Sequence, residues 1–330
     1  MKVIIIAEAG VNHNGSLAIA KKLVDVAKLA KADYVKFQTF SPNQLVIKNT
    51  PKAKYQNNLN NFKEDQYKML KRLELSRINQ LKLIKYCKRK KINFLSTAFD
   101  VDNLKFLLKN GVDFIKIPSG EITNLPLLEF IRKKNKKILL STGASSLKDI
   151  ELAFKILKKK GKNITILHCN SAYPTPIKDL NLNVLTNFKK KFKCNVGLSD
   201  HSLSLMAPAV AVGMGAIVIE KHFTLNKKMS GPDHRSSLEP KELIQMINNI
   251  REAEVAMGNS KKYITNSEKL NQVLIRKSLV AKTFIFKGQK FNFKNITQKR
   301  PGSGISPMKI KKVFKKTAKK NFNPDEIIEI

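Results

Sequence analysis

"VIEKHFTLNKKMSGPDH", residues 218–234, begins as a buried strand and ends as a polar loop. The apolar run Ala216, Ile217, Val218, Ile219 gives way to Glu220, Lys221 and His222. Side chains alternate across a strand, so Glu220 and His222 share one face and Lys221 takes the other. "NVGLSDHS" (195–202) ends in the same manner, with Ser199 and His201 on one face. Two histidines at the ends of two apolar strands raise the question of whether they meet.

Six further runs read alike: 3–10, 34–40, 93–99, 114–121, 137–143 and 164–171, which with 195–202 and 216–224 make eight candidate strands. Amphipathic helical stretches separate them. Ser16 is placed to cap the helix of 16–31, and Gly161 to end that of 146–161. Near-continuous apolar strands alternating with helices predict a parallel sheet. Eight such units predict an α/β fold, a (β/α)8 TIM barrel over 1–257. Each strand also ends in a functional group, and in such a barrel the C-terminal strand ends converge on one mouth. The long connection 41–75 reads as a lid, a binding element or an oligomer contact. Residues 258–275 read as a polar linker, and 276–330 as a small β-rich domain with Gly/Pro turns.

Composition removes several alternatives. The net charge of +38 invites a nucleic-acid reading, but of the 63 basic residues 8 are arginine and 55 lysine. The lysines are spread over helix faces without interleaved aromatic residues, and no reading module appears. No nucleic-acid partner is therefore expected. No run is long enough to cross a bilayer, so no membrane partner is expected either. Three cysteines without CxxC spacing fit a reducing, cytoplasmic setting and no disulfide framework.

Two constellations carry chemistry. His201 and His222, on strands seven and eight, are candidate metal ligands, with Glu8 and Glu220 on adjoining strand ends. Two nitrogens with oxygen donors suit an exchangeable divalent ion, Mn²⁺ first, then Mg²⁺ or Co²⁺, and not a closed structural zinc. Lys36 and Lys116 lie inside apolar strands, where a lysine must be paired or working. With Thr97, Ser119, Ser141 and Ser199 they would hold a small dianion. Alternatively one of them forms a Schiff base, as in aldolases, or both are buried ion-pair partners of Glu8 and Glu121.

Nine blocks, among them "AEAGVNHNGS", "VKFQTF", "KIPSGEITNLP", "ILHCNSAYPTP", "GLSDHS", "IEKHFTL" and "KRPGSGISPM", resemble the bacterial sialic acid synthases, in order from residue 3 to about 327. The resemblance implies condensation of phosphoenolpyruvate with a 2-acetamido sugar, assisted by a metal. It assigns His201 and His222 to the metal, and Lys36, Thr97, Lys116, Ser119, Ser141 and Ser199 to phosphoenolpyruvate. Gln38, Phe99, Glu121, Tyr173 and Asp233 fall to the sugar, and Glu8, Glu220 and Glu121 to catalysis. The tail resembles the antifreeze-like SAF domain, whose Arg300 would reach the sugar in a partner subunit, implying a domain-swapped homodimer. N-acetylmannosamine, giving N-acetylneuraminate, is the acceptor expected first. The alternative is a 2,4-diacetamido-trideoxy sugar leading to N,N'-diacetyllegionaminate or pseudaminate. Ser171, Ala172, Ala98, Ala144 and Ser303 depart from residues common in the family; they bear on sugar choice and remove no catalytic group.

Overall fold

Eight of the apolar runs form strands in the computed structural model, which describes residues 2–53, 56, 64–158 and 163–330. They are β1 (Ile4–Gly10), β2 (Tyr34–Thr39), β3 (Asn93–Ala98), β4 (Phe114–Ile117), β5 (Lys137–Ser141), β6 (Ile164–Cys169), β7 (Asn195–Asp200) and β8 (Val218–His222). Each pairs in parallel with the next, and β1 pairs with β8, so the sheet closes into a barrel in sequence order. The (β/α)8 expectation holds. The strands are shorter than the runs by one to four residues, and Pro118 accounts for the loss at β4.

The register is what builds the site. Glu8 stands opposite Lys36 on one side and His222 on the other. Thr97 stands opposite Lys116, and Ser199 opposite Glu220. A one-residue slip in any of these ladders would turn the functional groups toward the helices. Gly197 fixes part of the fit: a Cβ there would lie 2.5 Å from the Val218 carbonyl and 2.6 Å from Leu167.

Helices cover the barrel through regular apolar faces. Helix Leu17–Leu29 starts where Ser16 Oγ accepts the Ile19 N–H, and it buries Ala20, Leu23, Val24 and Ala27 on one stripe. Burying one such Leu or Val stabilises the fold by about 1.5–3 kcal/mol. Ser146 caps helix Leu147–Leu157 in a capping box with Asp149; the stop expected at Gly161 lies outside the described residues. The connection 41–75 contributes short helices Pro42–Leu45 and Gln66–Leu73. Met69 and Leu73 of the latter bury against Val11 and Phe40, next to Phe99. Residues 54, 55 and 57–63 of that connection lie outside the described residues.

The chain divides into two units, Met1–Gly258 and Asn259–Ile330. In the second, β9 (Ser278–Ala281) and β10 (Ile296–Lys299) pair antiparallel. Leu279, Ile285, Phe291, Val313, Phe322 and Ile328 form its own small core. The expected linker 258–275 needs correction: Asn266–Ile275 is a helix, begun by a capping box between Thr265 and Glu268. The Thr-x-x-Glu spacing is legible in the sequence. No residue of this helix is buried, and Leu270 and Leu274 face solvent.

Candidate active site

The C-terminal ends of the eight strands enclose a cavity of about 260 Å³. Alternation explains who reaches it. Glu8 comes from β1, Lys36 and Gln38 from β2, Thr97 from β3 with Phe99 just beyond, and Lys116 from β4. Ser119, Ser141, Tyr173, Ser199, His201, Glu220 and His222 also line it, as expected.

At the floor, two acids and two lysines interlock. Lys36 Nζ lies 2.9 Å from Glu8 Oε2 and 3.6 Å from Glu220 Oε2, and donates to Thr97 Oγ1 at 2.8 Å. Lys116 Nζ donates to Glu220 Oε1 at 3.0 Å, which also accepts from Ser199 Oγ at 3.0 Å. All four charged groups are nearly inaccessible to water. The lysines are therefore buried ion-pair partners, as one sequence reading allowed, but of Glu8 and Glu220 and not of Glu121. Pairing here does not exclude work, because a bound anion can share the same ammonium groups.

The electrostatics separate the two carboxylates. Burial raises Glu8 to about 7, opposed by Lys36 and reinforced by the charge of Glu220. Burial pushes Glu220 upward too, but Lys116 and Lys36 together outweigh it and hold the group well below the usual carboxylate range. One acid thus exchanges a proton near neutral pH while the other stays ionised. Burial, helped by His201 and Lys36, keeps His222 a neutral imidazole.

Several polar atoms await a partner. Ser141 Oγ and His222 Nδ1 are buried with no hydrogen bond, and Glu8 Oε2 and Glu220 Oε2 meet lysine off the hydrogen-bond axis. A Cβ on Gly143 would fall 2.3 Å from Ser171 Oγ and 2.9 Å from Ser119 Oγ, so only glycine leaves room between these hydroxyls. Beside Lys116, this makes a cradle of the size and polarity of a phosphate or carboxylate group.

The histidines do meet: their rings are 5.4 Å apart. His201 Nδ1 lies 2.6 Å from the Asn170 carbonyl. A carbonyl can only accept, so Nδ1 carries a proton, and Nε2 faces the Tyr173 hydroxyl 2.9 Å away. A ring held by a backbone carbonyl through one nitrogen, with the other turned inward, is the usual arrangement of a metal-binding imidazole. Gly10, at φ +53°, lets the backbone pass close to His222: a Cβ would lie 3.1 Å from its ring. Among the described residues no three His, Cys, Asp or Glu side chains form a ready-made metal cage. The donor set fits an ion with two protein nitrogens and open positions, not a closed structural centre.

Three expected residues are not on the cavity wall. Pro118 ends β4 after Ile117, and Ser119–Glu121 turn into a 3₁₀ helix, which breaks the alternation assumed for 114–121. Glu121 consequently accepts from Asn124 Nδ2 at 2.6 Å instead. Asp233, in the loop after β8, is buried and raised to about 6 by burial, with His201 opposing. Arg300 is exposed in the second unit. Pro118, Gly120 and Cys169 line the cavity without having been expected there, and Ser171, a position that bears on sugar choice, lines it too. Cys169 shares a face with Leu167 and Thr165, a parity legible in the sequence, whereas His168 points away and bonds the Leu180 carbonyl.

Residues 23–262 match the NeuB family. The chain belongs to that family. An N,N'-diacetyllegionaminic acid synthase of Campylobacter jejuni is 47% identical over 330 residues, 99% of each chain. Another protein of that name, from Legionella pneumophila, is 41% identical over 95% of this chain and 89% of its own. The solved N-acetylneuraminic acid synthetase of Leptospira borgpetersenii superposes with a TM-score of 0.72 at 35% identity, covering 82% of this chain and 90% of its own. NeuB membership carries with it the expected enzyme class, a carbon–carbon bond-forming transferase. No helix among the described residues of this NeuB chain is long and apolar enough to cross a membrane.

Proposed function

We propose that this protein is an N,N'-diacetyllegionaminate synthase, condensing phosphoenolpyruvate with a 2,4-diacetamido-2,4,6-trideoxy sugar in its open-chain aldehyde form. The observation that carries the reading is the 47% identity, over 99% of each chain, to a synthase of that name. N-acetylmannosamine, the acceptor expected first, gives way to it: the N-acetylneuraminic acid synthetase is only 35% identical.

Lys36 and Lys116 hold the anionic phosphoenolpyruvate, with Thr97, Ser119, Ser141 and Ser199 on its oxygens. Ser141 Oγ, buried without a partner, gains one when the substrate arrives. His201 and His222 hold a divalent ion, Mn²⁺ in the first instance, which when bound supplies Lewis-acid polarisation of the acceptor aldehyde. The new bond joins C3 of phosphoenolpyruvate to the aldehyde carbon, water adds at C2, and phosphate leaves with C–O cleavage. Glu8, poised near neutrality, takes the proton of that water. Glu220 stays ionised and keeps both lysine heads in place. No imine forms, so the Schiff-base alternative has no part.

Gln38 and Asp233 serve the sugar, and Arg300 reaches the acetamido group from the SAF domain of a second subunit, in a domain-swapped homodimer. The solvent-facing Leu270 and Leu274 support an interface of that kind. The three unpaired cysteines agree with a cytoplasmic enzyme. The test is product analysis after incubation with phosphoenolpyruvate, Mn²⁺ and the diacetamido sugar: one phosphate should appear per nonulosonic acid formed. Absence of phosphate release with every acetamido sugar tried would sink the proposal.

A further inference from the structure

β7 and β8 carry a second pair on the face turned away from the cavity. Asp200 and Lys221 are direct partners in the ladder, and each immediately precedes one histidine, His201 or His222. Lys221 Nζ lies 2.6 Å from Asp200 Oδ2, and both side chains are sealed from water, at 1% and 0% exposure. The same ammonium donates to the carbonyls of Ser202 and, at 3.3 Å, of Ser204. Asp200 Oδ1 accepts the Ser202 N–H at 2.8 Å. Ser204 Oγ then accepts from the N–H groups of Met206 and Ala207, where the next helix begins. The carbonyl of His201 itself accepts from the Thr175 N–H at 3.0 Å.

One buried ammonium therefore ties the exit of β7 to the rung of β8 that precedes His222. Such a pair adds little stability over apolar side chains of the same volume, because desolvation offsets the attraction. What it does supply is geometry. It sets which rung of β8 stands beside β7 and where the chain leaves β7 after His201.

We infer that the Asp200–Lys221 ion pair is a positioning device for His201 and His222, holding the two imidazoles at the separation that lets them share one divalent ion. The inference rests on the metal reading of those histidines. It assigns no contact with substrate to either residue.

The test uses the full-length chain and Mn²⁺ alone, with bound Mn²⁺ read by electron paramagnetic resonance and phosphoenolpyruvate binding by calorimetry. Lys221→Met leaves the Asp200 charge buried and alone, so it risks misfolding; the double variant Asp200→Asn/Lys221→Met removes both charges. The folded double variant should bind Mn²⁺ about 10- to 100-fold more weakly than the unaltered protein, as for other groups that orient metal ligands. Its affinity for phosphoenolpyruvate, set by Lys36 and Lys116, should stay within about twofold of the unaltered protein. A purely architectural pair would lower the melting temperature and leave Mn²⁺ affinity alone, and that result overturns the inference. A double variant unable to fold would make the pair a requirement of the barrel itself and overturn it equally. His222→Ala separates the two levels. If that variant binds Mn²⁺ as well as the unaltered protein, the metal reading has failed; if it does not, while the double variant binds normally, only the positioning role has failed.

Discussion

Lys116 Nζ and Glu220 Oε1 lie 3.0 Å apart, both side chains nearly inaccessible to water, on strands that are not neighbours in the barrel. The pair spans the floor from β4 to β8, so each group is oriented by the other before substrate arrives. Removing Lys116 leaves the buried Glu220 with Ser199 and the more distant Lys36 to balance its charge. Lys116→Met should therefore depress kcat/KM for phosphoenolpyruvate by roughly 10- to 100-fold, the weight of one charge-assisted hydrogen bond. Steady-state kinetics with phosphoenolpyruvate varied checks this; an unchanged kcat/KM would remove Lys116 from the substrate site.

Chelation offers a second check. With two imidazoles to hold it and no cage of three His, Cys, Asp or Glu side chains among the described residues, the ion should exchange freely, so exhaustive EDTA treatment should abolish turnover and Mn²⁺ should restore it. Full activity in EDTA, with a Lys116 adduct trapped by borohydride, would instead favour imine chemistry.

Most of this site is legible in the sequence because period-two alternation is a strong constraint at the end of a buried strand. Glu220 with His222, Ser199 with His201, and Lys36 with Gln38 each follow from it directly. It fails where the strand stops early. Pro118 ends β4, and Glu121, three residues on, cannot be placed by counting. Alternation also identifies which residues share a face without saying which strands lie across the barrel. The pairing of Lys116 with Glu220, and not with Glu121, depends on closure between β1 and β8, a relation that no local pattern contains. The Asp200–Lys221 pair was hidden for a different reason: both residues sit on the face that the functional reading set aside.

Acid should destabilise the barrel through two histidines outside the site. Burial first, then the neighbouring His234, holds His13 down to about 4, and burial alone holds His234 to about 4. In the unfolded chain both titrate near 6.5. Between these values the unfolded chain binds more protons, so stability is present above about pH 6.5 and is lost as pH falls toward 4. His13 contributes at most about 3 kcal/mol to that loss. His13→Gln should flatten the dependence of melting temperature on pH between 6.5 and 4; an unaltered slope would contradict the assignment.

Ending the chain at Gly258 should leave a folded barrel, since β1 and β8 close it within the first unit. Turnover should nevertheless fall sharply, and Arg300→Ala in the full chain should lose roughly 10- to 100-fold in efficiency with the acetamido sugar. Phosphoenolpyruvate binding should be nearly unaffected in both. Normal sugar kinetics in Arg300→Ala would rule out its reach into a second subunit's site.

Sugar identity is the claim on which the account turns, and a single competition measures it. Equal amounts of 2,4-diacetamido-2,4,6-trideoxymannose and N-acetylmannosamine are incubated together with limiting phosphoenolpyruvate, Mn²⁺ and the enzyme, and the products are separated by mass. The ratio of products is the ratio of kcat/KM values. A site built to hydrogen-bond a second acetamido group should reject the sugar lacking it by about 100-fold or more. N,N'-diacetyllegionaminate should therefore be nearly the only product. N-acetylneuraminate as the major product would contradict the account.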